Sequence, residues 1–382
     1  MQLLEVLRDL PMAKFLPLKN WCCVYVQHLL ISNYRCVEFL ESLGLDRRRL
    51  LVFGKGYSTS QAALATYRNG NYAVYDRTSD FQFSEPFDDA IIRQVEFGIQ
   101  SLLDAGETSI LIIDEGGIAM RAVDNLRLEP SLRITFAELT SRGTQHYALV
   151  SGKFPLVDVA NSFLKKRVES QVIVTSMLEC LARELNRLNL APIASGSIGI
   201  IGSGAIGGEI YRQLSVLGSR PLRYDLQGDR SDFVGVIDAM QLSSIVLSST
   251  GGGRIGLCEF LEMEGSKIFV NCGSSDVEFN LWQVATELGS FPNSKGSFVF
   301  ESPPWEGPAV LGLPRSVIRF LRGGFPINFD GSPDPITAEK IQLTRAALIG
   351  GALQSIGQSL PGIYELDSAV QSSLLASFNA IA

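Results

Sequence analysis

The sequence predicts an α/β protein of two doubly wound domains, each a mostly parallel sheet with helices on its faces. Short apolar runs alternate with amphipathic segments along nearly the whole chain, and a Gly-x-Gly-x-x-Gly turn joins one such run to a helix-forming segment. The length of 382 residues, with 46% hydrophobic and 19% charged, exceeds one ordinary domain and can bury a large core.

In the first part, Cys22 to Val26, Leu50 to Phe53, Tyr72 to Tyr75 and Ile110 to Ile113 have the continuous apolar character of strands buried on both faces. Segments 33–43 and 89–104 between them are amphipathic, and that alternation predicts a parallel sheet. Leu178, Leu181, Leu185 and Leu188 recur at helical spacing in segment 171–190, which the Ala191-Pro192-Ile193-Ala194-Ser195-Gly196 stretch stops. The rhythm then restarts with strand 198–201, helix 205–217 and strands 221–225, 244–248 and 267–271. A Pro/Gly-rich stretch at 302–314 leads to strand 317–321, and a long Ala/Leu/Ile helix near 337–359 and a shorter one at 367–381 follow.

A net charge of −7 without any run of Lys or Arg argues against nucleic acid or an anionic membrane as the main partner and leaves a small molecule. Six scattered cysteines, no Cys-x-x-Cys and two histidines predict neither a metal site nor a disulfide framework. Reduced thiols, a start without a leader pattern and no long apolar stretch predict a soluble, cytoplasmic protein.

The glycine turn carries the first chemistry. Ile198-Gly199-Ile200-Ile201 runs into Gly202-Ser203-Gly204-Ala205-Ile206-Gly207 and then a helix, the context of a dinucleotide fingerprint. The first glycine permits the turn, the second lets the backbone approach a pyrophosphate, and the third lets helix and strand pack closely. Free N–H groups at the helix start then face the phosphates. Asp225, at the end of the next strand, can accept from both ribose hydroxyls and would repel a 2′-phosphate, which favours NAD over NADP. Arg223 and Arg230 keep NADP open, and an ordinary Gly-rich turn is the bland alternative.

Further motifs run in order through the chain. They are Tyr57-Ser58-Thr59, Ile113-Asp114-Glu115-Gly116-Gly117, the segment from Val159 to Ser170 with Lys165 and Glu169, Val246 to Gly251, Phe269 to Asp276, Gly324 to Phe329, and Gly362 to Asp367. Together with the spacing from His28 to Gly44, this colinear set resembles the adenosylhomocysteinase superfamily. The resemblance implies a Rossmann NAD domain, 190–330, inserted into a substrate domain made of 1–170 and completed by C-terminal helices in 331–382. It also implies a homodimer or homotetramer, for which the apolar helix 341–360 is a candidate surface, buried core being the other reading.

By the same resemblance, tightly bound NAD oxidises a secondary ring alcohol, a group is eliminated and water adds, and the hydride returns. Lys165, tuned by Glu169, would take the alcohol proton, and His28 with Glu115 would form a second acid–base pair. A solvated i,i+4 ion pair and a satisfied core histidine are the ordinary readings of these residues. Cofactor contacts are implied at Gly202, Gly204, Ala205, Ile206, Gly207, Asp225, Ser249, Thr250, Gly251, Asn271, Gly273, Asn328, Thr140 and Ser141. Substrate contacts are implied at Ser58, Thr59, Glu138 and Ser274.

The departures from the family cluster on its substrate contacts. Leu30, Ser32, Leu139, Ala160 and Ser274 stand where it carries other residues, and its Lys/Tyr tail has no counterpart before Ala382. Each polar group left unmatched costs about 1–3 kcal/mol. The sequence therefore predicts an NAD-dependent enzyme with an altered substrate, oxidising a secondary hydroxyl on a nucleoside-, sugar- or amino-acid-derived molecule, in transient or net redox. Adenosylhomocysteine hydrolysis and a non-catalytic NAD-binding homologue are the alternatives.

Overall fold

The computed structural model describes residues 1–10, 18–76, 81–150, 152–252, 255–290 and 296–381. The chain divides into two compact units. Unit 1 comprises Met1–Arg77, Ala90–Val172 and Gly331–Ala382, and unit 2 comprises Thr78–Asp89 and Ile173–Asp330.

Unit 1 begins with β1 (Cys22–Val26), β2 (Leu50–Phe53), β3 (Ala73–Tyr75), β4 (Ser109–Asp114), β5 (Arg133–Glu138) and β6 (Pro155–Asp158). Unit 2 follows with β7 (Ile198–Ile201), β8 (Leu222–Tyr224), β9 (Ile245–Ser248), β10 (Gly265–Asn271), β11 (Ser297–Val299), β12 (Ala309–Gly312) and β13 (Ser316–Phe320). The chain then returns to unit 1 for β14 (Gly362–Glu365).

The unit 1 sheet is parallel throughout, in the order β14-β6-β5-β4-β1-β2-β3. The unit 2 sheet runs β11-β12-β13-β10-β9-β7-β8, with β11 and β12 antiparallel at one edge. Both therefore have the doubly wound α/β architecture, with the order reversing between β1 and β4 in one unit and between β7 and β9 in the other. Strands β1, β2 and β7 are buried on both faces because helices cover both sides, which is why they read as unbroken apolar runs.

The helix Ala338–Ile356 packs across β4, β5 and β6 and against the helices Ile31–Ser42 and Ser368–Ile381. Leu343, Leu348, Ile349, Leu353 and Ile356 join the unit 1 core. Its apolar character is thus accounted for within its own unit, which removes the reason for assigning this helix to a subunit interface. Gly351 permits the closest approach, since a Cβ there would meet Val159 Cγ2 at 2.6 Å.

Segment 78–89 departs from the sequence assignment, which put it with the first part of the chain. Phe81 packs edge-on against Phe83, Phe87 and Phe325, and Phe87, Phe325 and Trp305 pack edge-on against one another within unit 2. Aromatic burial of this extent outweighs chain proximity. Among the described residues no helix is long and apolar enough to cross a membrane, and no group of His, Cys, Asp and Glu has metal-ligand geometry.

Candidate functional site

In open α/β sheets, ligands bind beyond the carboxyl ends of the strands where the winding reverses. Unit 1 gathers its polar side chains at that position. His28 lies two residues beyond β1, and Glu115 follows β4 directly. Their side chains meet with Nε2 and Oε1 2.6 Å apart, each about 9% exposed. His28 Nδ1 lies 2.5 Å from Ser58 Oγ, and that hydroxyl is also 2.9 Å from the Lys55 carbonyl. Lys55, 2% exposed, donates from Nζ to the Glu115 carbonyl at 2.9 Å and stands 3.8 Å from Oε1.

Burial pushes the His28 imidazole below its ordinary pKa, and the pull of Glu115 in the other direction does not overcome it. Burial alone would raise Glu115, but His28 at its Oε1 and the Lys55 ammonium hold it below the ordinary carboxylate range. The arrangement consistent with both is a neutral His28 that donates from Nε2 to Glu115 and accepts at Nδ1 from Ser58. If Nδ1 takes up a proton, the Ser58 hydroxyl turns to the Lys55 carbonyl. Ser58, His28 and Glu115 thus form a three-membered hydrogen-bonded chain.

This geometry alters the reading of His28. Both ring nitrogens face protein groups, so any proton exchange with a bound molecule would run through Ser58 or Glu115. Among the described residues, Glu115 Oε2 is buried without a hydrogen-bond partner, and so are both carboxamide atoms of the fully buried Gln27.

Glu138, offered by the sequence as a substrate contact, is instead occupied by its own loops. Its Oε1 accepts from the Gly116 N–H, the Thr140 N–H and the Thr140 hydroxyl, and its Oε2 from the Gly117 N–H. Burial, followed by the neighbouring Asp114, raises its pKa to about 7. Asp114 is also raised by burial, against the amides it accepts. These two carboxyls shape the turn that presents Glu115. Thr140 Oγ1 further accepts from the Gly116 and Gly143 amides, and Ser141 is exposed at the start of the helix Ser141–Val150. Thr59 is half-buried and donates to the Lys55 carbonyl at 3.2 Å.

Lys165 and Glu169 pair as the sequence spacing implies, with Nζ 3.0 Å from both carboxylate oxygens. They occupy a π-helical turn, Lys165–Glu169, that precedes the helix Ser170–Arg187. Such turns recur at functional sites because the widened ring re-aims side chains. Lys165 is 24% exposed and Glu169 only 7%, so the pair is not a fully solvated surface bridge. Among the described residues no hydrogen bond joins these two side chains to the His28 cluster.

In unit 2 the three glycines of the turn differ in what surrounds them. A Cβ on Gly207 would stand 1.8 Å from the Gly202 carbonyl, and one on Gly202 would stand 2.7 Å from the Ser249 carbonyl at φ +92°. A Cβ on Gly204 would meet nothing within 4 Å. Gly204 caps the helix Ala205–Val216, with Gly204 and Ala205 exposed and Ile206 half-buried. Asp225 accepts from the Ser203 amide at 2.5 Å and from the Gln227 amide at 2.9 Å.

Glu278, which no motif signalled, organises the second half of this site. Fully buried, it accepts from the Ser248 hydroxyl at 2.6 Å, from the Thr250 amide and hydroxyl, and from the Gly251 amide. A Cβ on Gly273 would collide with it at 2.2 Å. Ser249 donates to the Gly202 carbonyl at 3.3 Å. Asn271 accepts from Gly273 and donates to the carbonyls of Ser275 and Gly324, so its side chain holds the loop rather than being open. Ser274 is half-buried with no side-chain hydrogen bond among the described residues. Among the described residues, Asn328 Oδ1 and Ser203 Oγ are buried without hydrogen-bond partners.

No protein-family profile matches the chain. It is similar to uncharacterized protein MT0113 of Mycobacterium tuberculosis (strain CDC 1551 / Oshkosh) and to uncharacterized protein Rv0104 of Mycobacterium tuberculosis (strain ATCC 25618 / H37Rv), each 28% identical over 336 residues and 85% of this chain. The match spans 63% of the length of those relatives.

Among solved structures it is similar to a glyoxylate reductase from Paecilomyes thermophila, with a TM-score of 0.34, 11% identity and coverage of 70% of this chain and 78% of that one. It is also similar to the TT0316 protein from Thermus thermophilus, with a TM-score of 0.38, 12% identity and coverage of 89% and 99%. A third is D-2-hydroxyisocaproate dehydrogenase, with a TM-score of 0.30, 10% identity and coverage of 71% and 75%. Likenesses of this extent transfer no residue roles to the chain.

Proposed function

We propose that the chain is an NAD-dependent enzyme that oxidises a secondary hydroxyl of a nucleoside-, sugar- or amino-acid-derived substrate, in a transient or net redox cycle. The observation that carries the reading is the contrast among the three glycines. Gly202 and Gly207 are required by neighbouring backbone, whereas Gly204 faces open space at a helix N-terminus, where a pyrophosphate would need backbone access.

Gly202, Gly204, Ala205, Ile206 and Gly207 would hold the pyrophosphate and Asp225 the adenosine ribose. Ser249, Thr250, Gly251, Gly273 and Asn328 would line the nicotinamide end, with Asn271 bracing it. The buried, unmatched Oδ1 of Asn328 suits a carboxamide N–H. When bound, NAD supplies the hydride acceptor.

The chain's own groups then handle protons. Lys165 is the acceptor for the hydroxyl proton and Glu169 orients its ammonium. Ser58, His28 and Glu115 carry the second proton exchange along the hydrogen-bonded chain described above. General acid–base steps of this kind are worth about 10²–10⁴-fold in rate.

The experiment is single-turnover spectroscopy at the reduced-nicotinamide band, with panels of nucleosides, sugars and hydroxyl-bearing amino-acid derivatives. The reading expects a substrate-dependent rise that Lys165→Ala abolishes. No rise with any panel member, and a Lys165→Ala protein indistinguishable from the parent, would overturn it.

A further inference from the structure

A guanidinium left alone beside the His28 cluster names the substrate's chemical class. Arg345 lies in the buried helix Ala338–Ile356 and is only 4% exposed. Its one hydrogen bond among the described residues is long, 3.4 Å from Nε to Ser32 Oγ. Neither terminal nitrogen has a hydrogen bond or ion pair among the described residues, yet they are not sealed from solvent. Asp334, the nearby carboxylate, instead accepts the Ser32 amide at 3.0 Å. A guanidinium taken this far from water is costly unless an anion meets it.

Position links it to the proposed proton path. Ser32 is four residues beyond His28 in the first turn of the helix Ile31–Ser42, itself 1% exposed. The positive charge of Arg345 reaches far enough to lower the proton affinity of both His28 and Glu115. Its fork of parallel N–H groups matches a planar carboxylate, two bonds to two oxygens.

We infer that the substrate is an acid, whose carboxylate docks on the free amino groups of Arg345 while its hydroxyl end reaches the groups described above. The inference rests on reading this strand-end cluster as the substrate site, and it narrows that reading to a hydroxy acid or an acid of the sugar or amino-acid type. A neutral nucleoside would leave the guanidinium unmatched.

The test needs no dinucleotide. The arginine Nε–H resonances of the ¹⁵N-labelled full chain are recorded by NMR, with Arg345 assigned by its disappearance in Arg345→Lys. Acetate, lactate and D-glucuronate are titrated beside their neutral counterparts acetamide, propane-1,2-diol and D-glucose, with inorganic phosphate and chloride as separate arms. The expected result is a saturable shift of the Arg345 resonance with at least one carboxylate and none with its counterpart. No saturable shift with any carboxylate overturns the inference, as does a shift confined to phosphate or chloride. Because NADH binding is followed separately by its fluorescence, loss of the cofactor reading and loss of the acid reading give different outcomes.

Discussion

His28 and Glu115 meet at 2.6 Å at the point where the unit 1 sheet reverses its winding, one residue following β1 and the other following its neighbour β4. Neither strand end alone makes the contact. It exists because a doubly wound sheet sends the two connections to opposite faces and leaves a crevice between their starts.

Protonation of His28 gives the first prediction. Its folded pKa is lowered by burial, whereas the unfolded chain has the ordinary value of about 6.5. Below that value the unfolded state binds a proton that the folded state refuses, so this group's contribution to stability is lost as pH falls from about 6.5 towards the folded pKa. Glu138 acts oppositely. Its pKa raised to about 7 means the folded state holds a proton, and stability from this group is lost as pH rises from about 4.3 through 7. The His28→Gln substitution should therefore be less destabilising at pH 5 than at pH 7, with urea midpoints at the two values as the check. An equal or larger effect at pH 5 would contradict a neutral His28.

Removing the buried cation is the second. Lys55→Met leaves Glu115 in the interior without its ammonium partner, and breaking a buried pair from one side costs about 3–5 kcal/mol. Lys55→Met combined with Glu115→Gln should be less destabilised than the sum of the single changes, because the second removes the charge the first strands. Urea unfolding of the four proteins closes the cycle, and strict additivity would mean that Lys55 and Glu115 do not interact.

Much of the fold was legible in the sequence because β1, β2, β4 and β7 are continuous apolar runs, and strand 198–201 coincides with β7. Strands β5, β6 and β14 were not. β5 carries the polar Thr135, buried because its hydroxyl meets that of Ser355 at 3.1 Å, a partner 220 residues away. β6 and β14 have four residues each and pair with each other only after the chain has passed through unit 2. The same distinction divides the sites. The glycine turn and the Lys165–Glu169 pair are local, so spacing exposes them, whereas Lys55, Glu278 and Arg345 acquire meaning only through partners remote in sequence. A lysine following the apolar run of β2 was the one local sign that Lys55 differed from a surface residue.

The glycine turn supplies the third prediction, in which two alanines have opposite consequences. Gly207→Ala drives a methyl to within 1.8 Å of the Gly202 carbonyl, so helix and strand must separate. The expected result is a loss of several kcal/mol, at the severe end for one substitution, seen as a lowered melting temperature. Gly204→Ala meets nothing within 4 Å, and its φ of −67° suits alanine, so folding should be nearly unchanged. NADH affinity, read by fluorescence titration, should nevertheless fall about tenfold or more, since the methyl occupies the side from which a pyrophosphate approaches. Unchanged affinity would remove the dinucleotide from this turn.

Asp225 tests which dinucleotide is meant. Its carboxylate is 2.5 Å from the Ser203 amide and 2.9 Å from the Gln227 amide, so it stands at the turn, half-buried, where a ribose would lie. A 2′-phosphate there would face a negative charge, with Arg230 as the opposing attraction, since its Nη1 reaches the Ser203 carbonyl at 3.4 Å. Asp225→Ser keeps a short acceptor for the Ser203 amide while removing the charge. It should weaken NADH and strengthen NADPH, moving the ratio of their affinities by about tenfold, or about 1.4 kcal/mol. Parallel titrations at about 50 and 300 mM salt separate the two causes, because an advantage for NADPH that rests on Arg230 shrinks with screening. If the parent already prefers NADPH and the substitution leaves that preference unchanged, the acidic residue does not choose the cofactor and Arg230 does.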